Sequence, residues 1–150
     1  MKHPLPLRFA LPLGVLSVLF LAPTAAAQPG AFGIGGQIGE PTGLTLKFAG
    51  RPGVDLAAEW DFDDYFFIQG HVLIAERRFP GASADVRYFY GPGLFIGERN
   101  DDTAFGLSFN AGVNYYTGPV EIFGQLTPRL RLTPDSDFDL GAAIGLRFYP

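Results

Sequence analysis

Apolar and polar residues alternate with a period of two along most of the chain. The pattern begins with Phe32, Ile34, Gly36 and Ile38 on one side, and it returns in seven further segments that end at Phe148. None of the positions on this shared side is charged. Because successive side chains of a β-strand point to opposite faces, the pattern predicts eight strands with one uncharged face. That face must either line a core or contact lipid.

Turn-forming and acidic residues separate the eight segments. The breaks fall at residues 40–41, 49–53, 63–64, 76–83, 97–103, 117–119 and 133–137. Most segments have roughly the 9 to 11 residues that a tilted membrane strand needs. We therefore predict an all-β chain that forms an eight-stranded antiparallel up-and-down β-barrel with short connections. Pro92 and Pro128 fall inside predicted strands, and we expect a bend or bulge at each.

The first 27 residues have the three parts of a secretory signal peptide. Lys2 and Arg8 supply the basic start, residues 9–22 the apolar stretch, and Ala25-Ala26-Ala27 the small-residue cleavage site. We predict cleavage after Ala27, which leaves one domain at residues 28–150. That domain carries nine basic and 15 acidic side chains and no cysteine. The acidic balance argues against nucleic acid as a partner, and the lack of cysteine excludes a disulfide scaffold and a thiol nucleophile.

The composition of the second face indicates whether the barrel lies in a membrane. This face mixes polar side chains with many glycines and alanines, which suits the interior of an eight-stranded barrel, since that interior is only just wide enough for side chains. The apolar face would then contact lipid, and the chain would be a transmembrane barrel. We predict a structural polar cluster in the lumen, formed by Lys47, Glu59, Gln69, His71, Glu121 and Arg147.

Aromatic residues concentrate at the two ends of the apolar face. Membrane barrels place aromatic rings at both interfaces around an apolar band of roughly 25 Å, whereas ordinary core aromatics have no such pattern. We predict that nine residues lie at the membrane interfaces, Phe32, Phe48, Tyr115 and Phe148 at one end and Trp60, Phe62, Phe66, Phe105 and Phe138 at the other.

Two stretches resemble known sequences. Asp139, Gly141, Ile144, Leu146 and Phe148 resemble the polar-x-Gly-x-x-apolar-x-apolar signature of terminal strands that outer-membrane assembly machinery recognises, although the final Tyr149-Pro150 departs from its usual aromatic end. The stretch 33–47, with Gly39-Glu40-Pro41-Thr42-Gly43-Leu44, resembles an uncharacterised family of small bacterial outer-membrane β-barrel proteins. The resemblance implies an eight-stranded barrel in the outer membrane, and it brings no catalytic residues.

The acidic residues favour one end of the predicted barrel. If the N terminus of the domain lies in the periplasm, the outer end holds the acidic residues Glu40, Asp63, Asp64, Glu98, Asp101, Asp102, Asp135 and Asp137. Arg99 is the only basic residue among them. Such a rim could bridge Mg²⁺ or Ca²⁺ to anionic lipid headgroups. No spacing matches a calcium loop, so a solvated acidic rim is the favoured interpretation.

His71 is the sole histidine of residues 28–150 and invites an enzymatic hypothesis. Barrel hydrolases that act on lipids place a Ser, a His and a carboxylate on the lipid side at the rim. Ser108 instead lies in mid-strand on the polar face. We therefore predict no enzymatic activity and no cofactor, and a lipid-modifying enzyme that depends on His71 is a minor hypothesis.

Two functions fit the predicted barrel. The first is an integral outer-membrane protein with a side-chain-filled lumen and a structural, envelope-integrity or rim-binding role, with membrane lipids and the assembly machinery as partners. The second is a soluble periplasmic lipocalin-like β-barrel that carries an apolar ligand inside. Its strands would be the same, and its faces would be reversed.

Overall fold

The computed structural model describes residues 31–61 and 65–150. The predicted signal peptide, residues 1–27, lies outside the described residues, as does Phe62. No helix of the described residues is long and apolar enough to cross a membrane. The described elements are β1 (Phe32–Glu40), β2 (Thr42–Phe48), β3 (Gly53–Trp60), β4 (Tyr65–Leu73), β5 (Ala75–Arg78), β6 (Val86–Arg99), β7 (Asp102–Thr117), β8 (Val120–Thr133) and β9 (Asp137–Phe148).

The strands close into an eight-stranded antiparallel barrel, which confirms the predicted fold. Neighbours in sequence pair with each other, and β1 pairs with β9 to close the ring. β5 continues β4 beyond a break at Ile74, and both pair with β6, so together they form one strand of the barrel. Among the described strands, every one except the short β5 has two hydrogen-bonded neighbours, which limits edge-to-edge aggregation.

The connections lie at two ends of the barrel. The near end carries the start of β1, the end of β9 and the hairpins at residues 49–52, 79–85 and 118–119, while the far end carries the other connections. The tightest far-end turn joins β6 to β7 through Asn100 and Asp101, which both have positive φ angles, 52° and 66°. Asn and Asp tolerate this left-handed conformation better than other non-glycine residues, which suits them to a two-residue hairpin.

Pro92 lies at a bulge, as predicted. Residues 72–74 of the β4–β5 strand lie opposite Gly91 and Pro92 of β6, so one strand has an extra residue. The bulge shifts the alternation of side chains on β5. Ile74 is 61% exposed on the outer wall, and Glu76 enters the lumen two residues later. A single extra residue thus adds a carboxylate to the interior.

Pro128 also lies at an interruption. Pairing of β8 with β7 stops after Ser108 and Arg129 and resumes at Ala111 and Leu126. On its other side, β8 keeps a continuous register with β9. Pro128, which has no N–H to donate, therefore lies where β7 and β8 are not paired.

The apolar face lies on the outside of the barrel. None of its described positions is buried, and Ile34, Leu126 and Ile144 are 52%, 53% and 63% exposed. The polar face lies inside, where Lys47 and Glu59 are 1% and 0% exposed. The distribution is the reverse of that in a water-soluble barrel, in which apolar side chains fill the interior.

Phenylalanines share the lumen with the polar residues. Each of four buried rings pairs across the sheet with a glycine on the next strand, and the pairs are Phe67–Gly97, Phe89–Gly112, Phe95–Gly106 and Phe123–Gly145. A Cβ at Gly106 would lie 2.7 Å from the Phe95 ring and 2.2 Å from the Leu130 carbonyl oxygen. The lumen glycines therefore leave space for large rings, where the sequence predicted mainly small and polar residues.

Replacing Gly106 with alanine should lower the free energy of unfolding by about 1 to 3 kcal/mol, because the added methyl group overpacks the lumen. Gly124→Ala is the matched control, since a Cβ there would meet its nearest neighbour, Ile144, at 3.8 Å on the outer wall. Urea unfolding of the detergent-refolded variants measures both. Equal midpoints for the two variants would show that the lumen is loosely packed at Phe95.

Candidate functional site

Lys47, Glu121 and Arg147 meet in the half of the lumen close to the near end. Lys47 Nζ and Arg147 Nη1 lie 3.1 and 3.2 Å from the same Glu121 oxygen. Two carboxylates that the prediction did not include complete the group. Asp55 lies 2.9 Å from Arg147 Nη2, and Glu76 lies 3.0 Å from Lys47 Nζ. We call these five residues the near-end network.

Neutral donors satisfy the remaining oxygens of this network. Tyr116 donates to Glu76 at 2.6 Å, Tyr149 donates to Glu121 at 2.6 Å, and the Asn114 amide donates to Glu121 at 2.8 Å. Burial and the Glu121 carboxylate raise the pKa of the Tyr149 phenol, which keeps its proton available for this bond. Buried charges are tolerated when they are both paired and hydrogen-bonded, and this network meets both conditions.

Glu59, Gln69 and His71 lie outside the near-end network. The Gln37 amide donates to Glu59 at 2.6 Å, and His71 Nε2 lies 2.8 Å from Ser108 Oγ. Asn110 donates to Asp55 at 3.4 Å and to Gln125 at 3.2 Å, and Gln125 donates to Gln37 at 3.2 Å, so amides connect the two halves of the lumen. The six residues predicted as one cluster therefore occupy two regions of a larger polar interior.

Arg129 is a lumen residue that the sequence analysis did not select. Its guanidinium pairs with Asp139 and lies 4.7 Å from the centre of the Phe67 ring. Arg131, one step further along the same face of β8, pairs with Asp137 at 3.3 Å. The prediction that Arg99 is the only base of the far end is therefore wrong. Glu121 and Gln125 lie on the lumen face of β8, and both arginines follow at even spacings on the same face. The alternation of side chains could therefore have identified them as lumen residues.

A few buried polar atoms have no hydrogen-bond partner among the described residues. They are Glu59 Oε2, Gln69 Oε1, Asn114 Oδ1 and Arg129 Nη1. Ordered water is the usual partner of such atoms in protein interiors. Three of the four lie away from the near-end network, so the far half of the lumen is the less completely paired half.

The His71–Ser108 pair has the spacing of a nucleophile and its base. Both side chains are buried, with His71 3% and Ser108 7% exposed, and they lie among the packed side chains of the lumen. Such a pair needs access for a substrate and a group that orients the imidazole. The hydrogen bond therefore favours a structural role, and the absence of enzymatic activity stays a prediction.

The described aromatic residues of the predicted interface groups lie near strand ends on the outer wall. Phe32 and Phe48 pair across β1 and β2 at the near end, with ring centres 6.5 Å apart. Trp60 and Phe66 pair across β3 and β4 at the far end. Phe105 and Phe138 lie close to the far-end starts of β7 and β9, while Tyr115 and Phe148 lie close to their near-end termini. Their role as membrane-interface residues stays a prediction.

The acidic far end does not contain a metal site within the described ranges. No group of three or more His, Asp or Glu side chains among the described residues is arranged to hold a metal ion. Asp137 and Asp139 instead pair with arginines. Asp63 and Asp64, which belong to the predicted rim, lie outside the described residues.

Comparisons of the chain with protein-family models, with curated proteins and with solved structures give no match. The function must therefore be argued from the distribution of its own residues. The resemblance of residues 33–47 to a family of small outer-membrane barrels stays a prediction.

Proposed function

We propose that this chain is an integral outer-membrane β-barrel protein whose outer wall contacts acyl chains and whose lumen is filled by paired charges. It would have a structural role in the envelope, with binding restricted to its rims. The observation that carries the proposal is the reversed distribution of residues, since exposed aliphatic side chains surround a buried polar interior. Hydrocarbon stabilises such a wall, whereas water does not.

The size of the exposed apolar surface supports this proposal. Large apolar side chains on every strand of the outer wall are more than one third exposed, among them Ile38, Leu94 and Leu140 at 64%, 52% and 56%. Monomeric soluble proteins rarely expose a contiguous apolar patch of more than a few hundred Å². A continuous belt around a barrel is typical of a membrane protein.

The packed lumen argues against a pore or an apolar carrier site. The interior is occupied by the buried side chains of Lys47, Arg147, Phe89 and Phe123. Aqueous channels belong to barrels of about 16 strands, which are much wider. A lipocalin-like carrier would need an apolar cavity in the place that these charged side chains occupy.

The proposed partners follow from the compartment. Membrane lipids would cover the outer wall, and the assembly machinery of the outer membrane would recognise β9. Ile144, Leu146 and Phe148, the apolar positions of the terminal signature, are 63%, 55% and 50% exposed on one face of that strand. Pairing with the assembly machinery would precede closure, because both edges of β9 are occupied in the closed barrel.

Membrane fractionation tests the proposal. A tagged protein expressed in a Gram-negative host should remain with the outer-membrane fraction after washing with high salt and carbonate, and it should be released by detergent. A known soluble periplasmic protein is the control. Release by salt or carbonate would contradict the proposal and favour the soluble carrier.

Gel migration gives an independent measurement of the membrane barrel. Protein refolded in detergent should migrate faster before boiling than after it, because a closed barrel resists the denaturing detergent. Unchanged migration together with good solubility in buffer would contradict the proposal.

A further inference from the structure

A wide vestibule opens at the near end of the barrel, above the near-end network. Its volume is about 1120 Å³, and its lining includes Arg51, Arg77 and Arg87. These arginines come from three separate segments, the hairpin between β2 and β3, strand β5 and strand β6. Three guanidinium groups therefore border one cavity without being neighbours in sequence.

The carboxylates close to this vestibule form ion pairs with bases. Glu76 pairs with Lys47 and accepts a hydrogen bond from Tyr116. Asp85 accepts two hydrogen bonds from Arg87, at 2.8 and 2.9 Å, and this guanidinium holds the pKa of the Asp85 carboxyl below its usual value. The near-end network holds three carboxylates and two bases, so it leaves one negative charge against the two positive charges of Arg51 and Arg77.

Arg51 and Arg77 have no acidic partner among the described residues. Both are exposed, and none of the salt bridges or ring contacts within residues 31–61 and 65–150 includes either arginine. At the far end, Arg129 and Arg131 each pair with an aspartate, and the Arg99 guanidinium lies 5.7 Å from the centre of the Tyr65 ring. In a chain with an acidic net charge, unmatched positive charge is thus placed beside this cavity.

Two tyrosines, Tyr116 and Tyr149, are part of the vestibule lining. The rings of Tyr116 and Tyr149 lie 5.9 Å apart; the Tyr149 hydroxyl donates to the buried Glu121 and the Tyr116 hydroxyl to the partly exposed Glu76. The Arg87 guanidinium lies 4.8 Å from the centre of the Tyr116 ring. The tyrosines and the three arginines therefore border the same space that a ligand would occupy.

We propose that the near-end vestibule binds a phosphate group through Arg51 and Arg77. Guanidinium groups recognise phosphate oxygens by paired, charge-assisted hydrogen bonds, and basic pockets at a membrane surface bind lipid headgroups in the same way. The phosphate is carried either by a small soluble molecule or by a membrane lipid. The site exists in the barrel whether or not the outer wall contacts a membrane, so it does not depend on the proposed function.

Binding to the detergent-refolded full domain tests the proposal. The probes are glycerol 3-phosphate, measured by titration calorimetry, and phosphatidylglycerol, measured as adducts in native mass spectrometry, with diacylglycerol as the lipid that lacks phosphate. The double variant Arg51→Gln/Arg77→Gln should bind the phosphate probes at least about tenfold more weakly than the natural chain, given the strength of charged hydrogen bonds. Heat-modifiable migration checks that the variant still forms the barrel.

The matched control is Arg78→Gln/Arg99→Gln, which removes the same charge from exposed arginines outside the vestibule lining. It should retain binding within about twofold. Binding of glycerol 3-phosphate identifies a soluble ligand, and binding of phosphatidylglycerol alone identifies a lipid. Binding of neither probe, equal binding of diacylglycerol, or an equal loss in both double variants would overturn the proposal.

Discussion

Replacing Arg147 with glutamine is expected to lower the free energy of unfolding by about 3 to 5 kcal/mol. Arg147 is 1% exposed and pairs with both Asp55 and Glu121, which are also buried. Removing the guanidinium leaves Asp55 without its salt bridge inside the barrel, and an uncompensated buried charge carries a cost of this size. Chemical denaturation of the refolded protein in detergent measures the change.

The surface pair of Arg131 and Asp137 supplies the matched control. Their side chains are 21% and 57% exposed, so Arg131→Gln should cost no more than about 1 kcal/mol. The double variant Asp55→Asn/Arg147→Gln should lose less stability than the two single variants combined, because it no longer buries an unpaired carboxylate. Equal losses in Arg147→Gln and Arg131→Gln would show that the near-end network does not stabilise the lumen.

Placing an arginine at the middle of the outer wall is expected to destabilise the protein in lipid vesicles by about 2 to 4 kcal/mol. Leu126 lies in the middle of β8 and is 53% exposed on the outer wall. If hydrocarbon surrounds this position, Leu126→Arg forces a charge into the least polar layer of the bilayer. Urea titration of the protein in phosphatidylcholine vesicles measures the loss.

Ile122 is the control on the same strand and face, close to the near end and 45% exposed. Ile122→Arg should cost only about 0 to 1 kcal/mol, since a long side chain near the interface can extend its charge into the headgroup region. A soluble barrel would tolerate both substitutions alike. The proposal therefore fails if the penalty does not depend on depth.

The strands were predictable because the outer wall imposes a strict local rule. Every second residue of a strand belongs to the outer wall, and these residues are uncharged in all eight predicted segments. The alternation therefore shows where each strand lies and which of its side chains point outward. Antiparallel neighbours in sequence then pair through short hairpins. For example, Phe32 pairs with Phe48 and Trp60 with Phe66, as the segment boundaries predict.

The bulge before β5 was not predictable from alternation. The extra residue lies on the strand opposite Pro92, and it turns the Glu76 side chain into the lumen. The local sequence pattern does not show the exact position of such an insertion. The segment that contains Glu76 was therefore assigned to a connection. A carboxylate of the near-end network was missed for this reason.

The composition of the lumen clusters depends on long-range geometry. Lys47 and Glu121 are 74 residues apart, and whether they meet depends on the stagger of strands around the barrel. The alternation placed both inside, but it did not show that Glu59 and His71 lie in a separate region. The Phe–Gly pairs were missed for a similar reason, since each needs the register of two strands.

Trp60 provides the most direct test of the central claim that hydrocarbon surrounds the outer wall. It is the only tryptophan of the chain, and it is 42% exposed on the outer wall near the far end. Membrane-interface tryptophans lie at headgroup level, so the account predicts that lipids brominated near the headgroup quench its fluorescence more strongly than lipids brominated at the chain end. Fluorescence that is unaffected by either brominated lipid, from protein that stays monomeric in buffer without detergent, would contradict the account.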